Sequence, residues 1–231
     1  MKQLTRMLAA LCLFVTLLVL RELPAQIPAH YDFAGNITRW GSKYELLILP
    51  VILLLISFGS RFLLLHFHRK AEQAESDKER QAAAANAKVL GIVIFSQTLI
   101  LSCIQGVLLY NTVLALRGES FLSTFAGEKL LTVLCGALLL LLGNILPKCR
   151  RNGMVGFRLP WTKYNDLTWQ KSNRFAGMMR VAAGALGIIS TFFAPKGYGM
   201  FLLFVYIMAA VLISTVRAWQ VYREEKERDR G

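Results

Sequence analysis

Six long apolar blocks limit what this chain can fold into. They cover residues 4–20, 46–65, 89–116, 130–146, 175–193 and 200–216. A block of about 20 apolar residues can cross the roughly 30 Å hydrocarbon core of a bilayer as a helix. The blocks show neither the alternation of barrel strands nor the narrow apolar stripe of a soluble helix. The sequence therefore predicts an all-α, polytopic membrane protein, a bundle of six transmembrane helices.

The distribution of basic residues predicts the orientation of the bundle. Of the 27 Lys and Arg residues, 19 lie in the two termini and in the loops 66–88 and 147–175, and six lie in the three alternate loops. Cytoplasmic loops carry the excess of Lys and Arg, so we expect both the N- and C-termini inside. The net charge of +13 then reflects contact with the lipid bilayer's anionic leaflet, and no direct binding of nucleic acid is expected.

The blocks and loops divide the chain into three parts. A two-helix N-terminal module covers residues 1–65, and its outer loop covers residues 21–45. Residues 66–88 are polar and Ala-rich, without Pro or Gly, and predict a cytoplasmic helical arm. Residues 89–231 form a four-helix region whose inner loop covers residues 147–175.

The first apolar block has two interpretations. Its basic start at Lys2 and Arg6 and its short apolar centre are typical of a secretory signal peptide. However, the charged pair Arg21 and Glu22 follows at once, and no small-residue cleavage pattern is present. We favour a retained first helix, and either interpretation places the N-terminus inside.

Polar residues inside two of the blocks favour helix packing over a transport path. The third block carries four polar side chains within an arc of about 80° on one helix. They are Thr98, Ser102, Gln105 and Thr112. Because no ionisable residue accompanies them, we favour hydrogen bonds between helices over the alternative of a polar pathway. Arg180 shares a similar arc with small residues of the fifth block, so we expect it to face the bundle near its inner end.

The sequence has no pattern typical of an enzyme or a metal protein. The four Cys residues have no C-x-x-C spacing, and His30 and Asp32 are too few for a metal site. H-E-x-x-H, G-x-S-x-G and P-loop patterns are absent. We therefore expect no enzymatic activity, no metal and no cofactor. A small transporter or channel of unassigned substrate is the alternative function, although the block centres lack the charged residues that transporters use.

The inner loop is the largest interruption between two apolar blocks. It combines basic residues with Trp161 and Trp169, and Pro147 and Pro160 prevent a continuous helix. We interpret this loop as the working face of the protein. The alternative, which stays open, is that the loop only braces the fourth and fifth helices.

Both loops resemble sequences of one known family. The inner loop, with a G-x-R-x-P-W core, resembles that of the SdpI-type membrane proteins, which are named for bacterial immunity to a secreted killing peptide. The matching positions are Asn144, Pro147, Lys148, Asn152, Gly156, Arg158, Pro160, Trp161, Thr162, Trp169, Asn173, Arg174 and Gly177. Gly153 departs from the pattern, because an aromatic residue often follows the Asn there. The outer loop is similar to a module of unknown function that often precedes the SdpI region. Its matching positions are Leu23, Pro24, Ile27, Pro28, His30, Gly35, Trp40, Gly41 and Lys43.

The resemblance implies a multi-pass protein of the bacterial plasma membrane. Members protect the producing cell against a secreted membrane-active peptide toxin, and some signal to a cytoplasmic repressor. The implied partners are therefore a peptide toxin outside and a repressor inside. Aromatic residues dominate binding hot spots, so we expect the toxin to contact the outer loop.

Two sets of candidate site residues follow from the loops and the resemblance. The inner-loop set is Asn144, Pro147, Asn152, Gly156, Arg158, Pro160, Trp161, Trp169, Asn173, Arg174 and Arg180. The outer-loop set of candidate contacts is Pro28, His30, Tyr31, Gly35, Trp40 and Lys43.

Overall fold

Six long helices dominate the structure, a computed structural model that describes residues 2–31, 37–119, 125–195 and 197–230. The helices are α1 (Lys2–Glu22), α2 (Ile48–Glu72), α3 (Asp77–Ala115), α4 (Phe125–Ile145), α5 (Asp166–Phe193) and α6 (Tyr198–Arg228). All six are long and apolar enough to cross a membrane. The predicted six-helix polytopic fold is thereby confirmed.

The arm, the inner loop and the C-terminal end of α6 meet at one end of the bundle. Asp166 at the start of α5 pairs with Lys78 of α3 (Nζ to Oδ2, 3.4 Å) and with Arg151 of the inner loop (Nε to Oδ1, 2.8 Å). Tyr164 donates its hydroxyl to Asp229, just beyond α6, over 2.9 Å. We call this the basic end and the opposite end the hairpin end. Which end is cytoplasmic stays a prediction from the distribution of Lys and Arg.

A short antiparallel hairpin connects α1 to α2 at the hairpin end. Its strands are β1 (Gln26–Tyr31) and β2 (Ile37–Ser42). The sequence predicts only a loop here. Pro24 and Pro28 argue against a strand, because proline has no N–H to donate to a sheet. A two-stranded hairpin tolerates such residues, and the pairing is irregular between Pro28 and Tyr31.

Helices α4 and α5 pack with their backbones in close contact. A Cβ added to Gly177 would lie 2.6 Å from the carbonyl oxygen of Gly143, and one added to Gly184 would lie 2.7 Å from that of Gly136. Only glycine permits such an approach without displacing a helix. Gly177 and Gly184 therefore lie where α5 meets α4, whereas Gly187 of the same block faces Leu203 of α6.

Gln105 connects the three N-terminal helices through buried hydrogen bonds. Its Nε2 donates to Thr16 Oγ1 of α1 over 3.3 Å and to the carbonyl of Leu46, just before α2, over 2.9 Å. The hydroxyls of Thr98 and Thr112 donate to carbonyls of their own helix. The bonds of Gln105 therefore support the packing interpretation, whereas those of Thr98 and Thr112 stay within α3.

The orientation of the bundle is testable with single cysteines in a variant that lacks the native Cys residues. Ser42 and Ser76 each cap a helix, so the exposed neighbours Gln26 and Glu75 are better labelling sites. We expect an impermeant thiol reagent to label Gln26→Cys in intact cells and Glu75→Cys only after the membrane is opened. Labelling of both variants in intact cells would contradict the six-crossing arrangement.

Candidate functional site

The inner loop is shorter than the apolar pattern predicts. That pattern predicts a loop over residues 147–175, but α5 begins at Asp166. The reason is Asn165, whose side-chain oxygen accepts a hydrogen bond from Thr168 N over 2.7 Å and so caps the helix. The first two turns of α5 therefore extend beyond the apolar block and carry Trp169 and Asn173 to the loop.

Asn152 holds a tight turn at the tip of the loop. Its Oδ1 accepts hydrogen bonds from the backbone N–H groups of Met154 and Val155, each over 2.7 Å. Its Nδ2 donates to the carbonyl of Arg150 over 2.6 Å and to that of Val155 over 3.0 Å. An Asn side chain commonly replaces backbone partners in turns in this way. The side chain is therefore committed to the fold of the loop.

Trp169 and Asn173 anchor the loop to α5. The Trp169 ring is fully buried, and its Nε1 donates to the carbonyl of Cys149 over 2.9 Å. Asn173 Oδ1 accepts from Phe157 N over 2.7 Å. Gly156 has a φ of 130°, and a Cβ there would lie 2.6 Å from the Trp169 ring. Only glycine fits where the chain passes over this ring.

The second half of the loop contacts α6 through aromatic rings. Trp161 packs edge-on against Trp219 with ring centroids 5.4 Å apart, and Tyr164 packs edge-on against Tyr222 at 5.2 Å. The hydrogen bond from Tyr164 to the Asp229 carboxylate raises the pKa of the tyrosine, because it stabilises the protonated phenol. The loop thus braces α5 against α6 as well as against α4.

The arginines of the inner-loop set have different surroundings. Arg158 is exposed and donates a hydrogen bond to the carbonyl of Gly153. Arg180 is half-buried, with its guanidinium carbon 5.4 Å from the Phe157 ring centroid and a hydrogen bond to the carbonyl of Ala176. Five members of the set are exposed. They are Asn144, Pro147, Arg158, Pro160 and Arg174. Their binding roles stay predictions.

Sequence reasoning missed a basic cleft between the arm and the inner loop. This cleft has a volume of about 870 Å³, and its lining includes Lys70, Lys78, Arg150 and Arg151. Asp166 pairs with Lys78 and Arg151. Within the described residues, Lys70 and Arg150 have no carboxylate partner. The distribution of basic residues predicted that the arm and the inner loop lie on the same side of the membrane. That prediction gives no distance between the two segments, so it could not show that they form a cleft.

A second missed feature joins the C-terminal end of α6 to α5. Glu225 is only 2% exposed and accepts hydrogen bonds from Lys171 over 3.0 Å and from Arg228 over 2.6 Å. A buried carboxylate needs such partners, because removing it from water is strongly unfavourable otherwise. The charged end of α6 is therefore part of the folded structure at the basic end.

At the hairpin end, several predicted contacts have structural roles. Lys43 Nζ donates to the carbonyls of Leu20 and Leu23, each over 2.8 Å, and so places a positive charge at the C-terminus of α1. Pro28 is buried. Arg39 and Glu45 form a two-pronged ion pair at 3.0 and 2.7 Å. These contacts fix the hairpin to the ends of α1 and α2.

The same hairpin exposes a group of apolar side chains. We call Ile37, Trp40 and Tyr44 the hairpin surface; they are 39%, 54% and 64% exposed. His30 is exposed, and its Nδ1 lies 2.6 Å from Oγ1 of Thr38, within hydrogen-bond distance. Gly35 and the side chain of Tyr31 lie outside the described residues. Trp40 and His30 are therefore the described members of the outer-loop set that are exposed to a ligand.

The described residues offer no cluster of metal ligands, and the buried Cys149 is a weakly acidic thiol. No three His, Cys, Asp or Glu side chains come together as metal ligands within them. Burial raises the pKa of the Cys149 thiol to about 11, because the thiolate is poorly solvated there. A thiol with such a pKa is protonated and unreactive near neutral pH.

Comparison with known proteins identifies two segments. Residues 7–54 match the family described as "Domain of unknown function (DUF1648)", and residues 148–217 match the SdpI/YfhL protein family. The chain is 29% identical over 89 residues to "Immunity protein SdpI" of Bacillus subtilis (strain 168). That alignment covers 38% of this chain and 42% of the relative. No solved structure matches. The predicted resemblance is confirmed: this is an SdpI-type protein with an N-terminal DUF1648 module.

Proposed function

We propose that this SdpI-type membrane protein protects a bacterium against a secreted membrane-active peptide toxin by binding the toxin at the hairpin surface. The similarity to an immunity protein supports an immunity-type role. The observation that carries the outer-face mechanism is Trp40, which is 54% exposed on a hairpin anchored by the Arg39–Glu45 ion pair and by the contacts of Lys43 with two carbonyls. The plasma membrane is the proposed location, because a membrane-active toxin acts there.

The hairpin has two properties suited to a peptide ligand. Exposed Trp and Tyr side chains on an anchored backbone lose little conformational freedom when they bind, so more of the contact energy contributes to affinity. Within the described residues the sheet has two strands, so each strand has one edge without a β-partner. An extended peptide can pair with such an edge through main-chain hydrogen bonds, while Trp40 contacts its side chains.

Transport is a weaker explanation of protection. A transporter usually places ionisable groups or broken helices near the bilayer midplane. In the described helices Arg180 lies beside Phe157 of the inner loop, and Glu128 bonds the backbone N–H groups of Gly197 and Gly199 at the opposite end. These two charges are thus held close to the ends of the bundle. This distribution favours binding over pumping.

A second candidate function concerns the basic end, where a cytoplasmic repressor would dock in the basic cleft. Lys70 and Arg150 line this cleft without a carboxylate partner among the described residues, so an acidic surface of a partner can neutralise them. Asn86 of α3 accepts a hydrogen bond from Arg150 N over 2.9 Å. Movement of α3 would therefore be transmitted to the cleft, which is a route for signalling.

Trp40→Ala tests toxin binding against a simple membrane-anchor role. Aromatic residues also anchor helices at membrane interfaces. The matched control is Tyr198→Ala, because Tyr198 is 56% exposed at the same end but lies outside the hairpin. A toxin-sensitive bacterium expressing each variant is challenged with a panel of secreted membrane-active peptides from related bacteria. The wild-type protein should raise the inhibitory concentration of at least one peptide. For a hot-spot residue, Trp40→Ala should reduce that gain about 30-fold.

Tyr198→Ala should protect as well as the wild type. Both variants are compared at equal amounts in the membrane fraction, which excludes differences in expression. Equal protection by Trp40→Ala and the wild type would remove the hairpin surface from the toxin site. An equal loss in both variants would instead indicate a general anchoring role of interfacial aromatic residues.

A further inference from the structure

A second cavity lies at the basic end, between α1, α2 and α3. It has a volume of about 420 Å³ and is separate from the basic cleft. Its wall is mainly apolar and includes the buried residues Leu64, Ala87 and Ile94. A volume of this size lies within the range of about 300–1,000 Å³ that is usual for small-molecule sites.

The rim of this cavity is basic. Lys2 of α1, His68 of α2 and Lys88 of α3 are exposed and line it. No acidic residue is among the lining residues, and within the described part of the chain none of these three side chains forms an ion pair. Three helices thus bring unpaired basic side chains to one opening. This arrangement has a positive potential that favours an anionic ligand.

The cavity lies where a lipid headgroup meets the hydrocarbon region. Lys2 begins α1, and Lys88 immediately precedes the third apolar block, so the rim marks the membrane-interface end of these helices. Below the rim the lining is mainly apolar, with Thr5 and Ser60 as its polar members. A ligand that is anionic at one end and apolar at the other fits both parts, whereas a free anion leaves the apolar wall without a partner.

We propose that this cavity binds one anionic phospholipid from the leaflet at the basic end. Its phosphate lies between Lys2 and Lys88, and the first part of an acyl chain fills the space beside Leu64 and Ile94. Each lysine contributes about 1 kcal/mol near an anionic lipid surface, which corresponds to about a fivefold change in affinity. The site is independent of the hairpin surface and of protection against a toxin.

Gly91 allows a direct test, because it lines the cavity and a Cβ there has no heavy atom within 4 Å. The Cβ of Gly91→Leu therefore enters open space, the rest of the side chain reduces the volume of the cavity, and the substitution also improves helix propensity. Gly106→Leu is the matched control: Gly106 lies in the same helix α3, has equally open space and does not line the cavity. The second test variant replaces both Lys2 and Lys88 with Gln, which keeps the cavity open and removes its charge.

Native mass spectrometry of the full-length protein, titrated with phosphatidylglycerol or phosphatidylcholine, measures the binding. We expect one phosphatidylglycerol to bind at least tenfold more tightly than phosphatidylcholine. Gly91→Leu should weaken phosphatidylglycerol about tenfold, and the Lys2/Lys88 double variant should weaken it about 25-fold, from two fivefold steps. Gly106→Leu should equal the wild type. Equal affinity for both lipids, full affinity in Gly91→Leu, or complete displacement of the lipid by inorganic phosphate would overturn the proposal.

Discussion

Trp169→Ala should lower the free energy of unfolding by about 3–5 kcal/mol, the usual loss when a large aromatic side chain is removed from a core. Trp169 is fully buried and packs with Val89 of α3 and Ile145 of α4. Its ring also supports Gly156, and its indole N–H donates to the carbonyl of Cys149. The truncation therefore leaves a cavity and removes one buried hydrogen bond at a junction of three helices.

Unfolding in mixed micelles, followed by far-ultraviolet circular dichroism, measures this change. Trp40→Ala is the matched control, since Trp40 is 54% exposed on the hairpin, away from the contacts of the inner loop, and the same atoms are removed from a half-buried site. We expect the control to lose less than half as much stability, because stability lost on truncation follows buried area. Trypsin should also cleave the inner loop of Trp169→Ala faster, after Arg150, Arg151 or Arg158. Equal losses in the two variants, with unchanged cleavage, would contradict a bracing role of the loop.

The number of helices and their crossing pattern were predictable from the sequence. Blocks of about 20 apolar residues have few solutions in a bilayer, because the backbone must satisfy its own hydrogen bonds there. Basic residues at alternate ends then predicted which loops share one side. The structure brings those segments together, as the contacts of Asp166 with Lys78 and Arg151 demonstrate.

The roles of individual loop residues were less predictable. Asn152 and Asn173 were selected by resemblance, yet their side chains bond the loop backbone. The partner of Asn173 lies 16 residues away, and no sequence period gives such a pairing. Lys43 was predicted as an outer contact, whereas its ammonium group donates to two carbonyls at the end of α1. Such roles depend on where an irregular backbone turns, which apolar patterning does not determine.

The hairpin illustrates a second limit of sequence patterns. Short strands with proline give a weak alternation signal, so residues 21–45 predict only a loop. The hairpin is fixed instead by contacts outside its strands, chiefly Lys43 to α1 and Arg39 to Glu45. The same packing explains why residue 41 is a glycine, because a Cβ at this position would lie 2.3 Å from Glu45 Oε1. Tertiary contacts therefore decide the conformation of this segment.

Expression of the protein should preserve the membrane potential of a sensitive bacterium during toxin challenge. A membrane-active peptide kills by dissipating the proton gradient, and a peptide held at the hairpin surface cannot insert. The effect should be large, because insertion depends on the concentration of free peptide at the membrane. Trp40→Ala, compared at the same membrane level, is the test variant and should retain little protection, since it removes the main exposed aromatic side chain of β2.

The most direct measurement is the fluorescence of a potential-sensitive dye in cells with and without the protein. The cells are challenged with the panel of secreted membrane-active peptides from related bacteria. If the protein is an immunity protein, at least one peptide will depolarise the cells that lack it and leave the potential of the expressing cells nearly unchanged. Equal depolarisation of both strains by every peptide in the panel would contradict the immunity function.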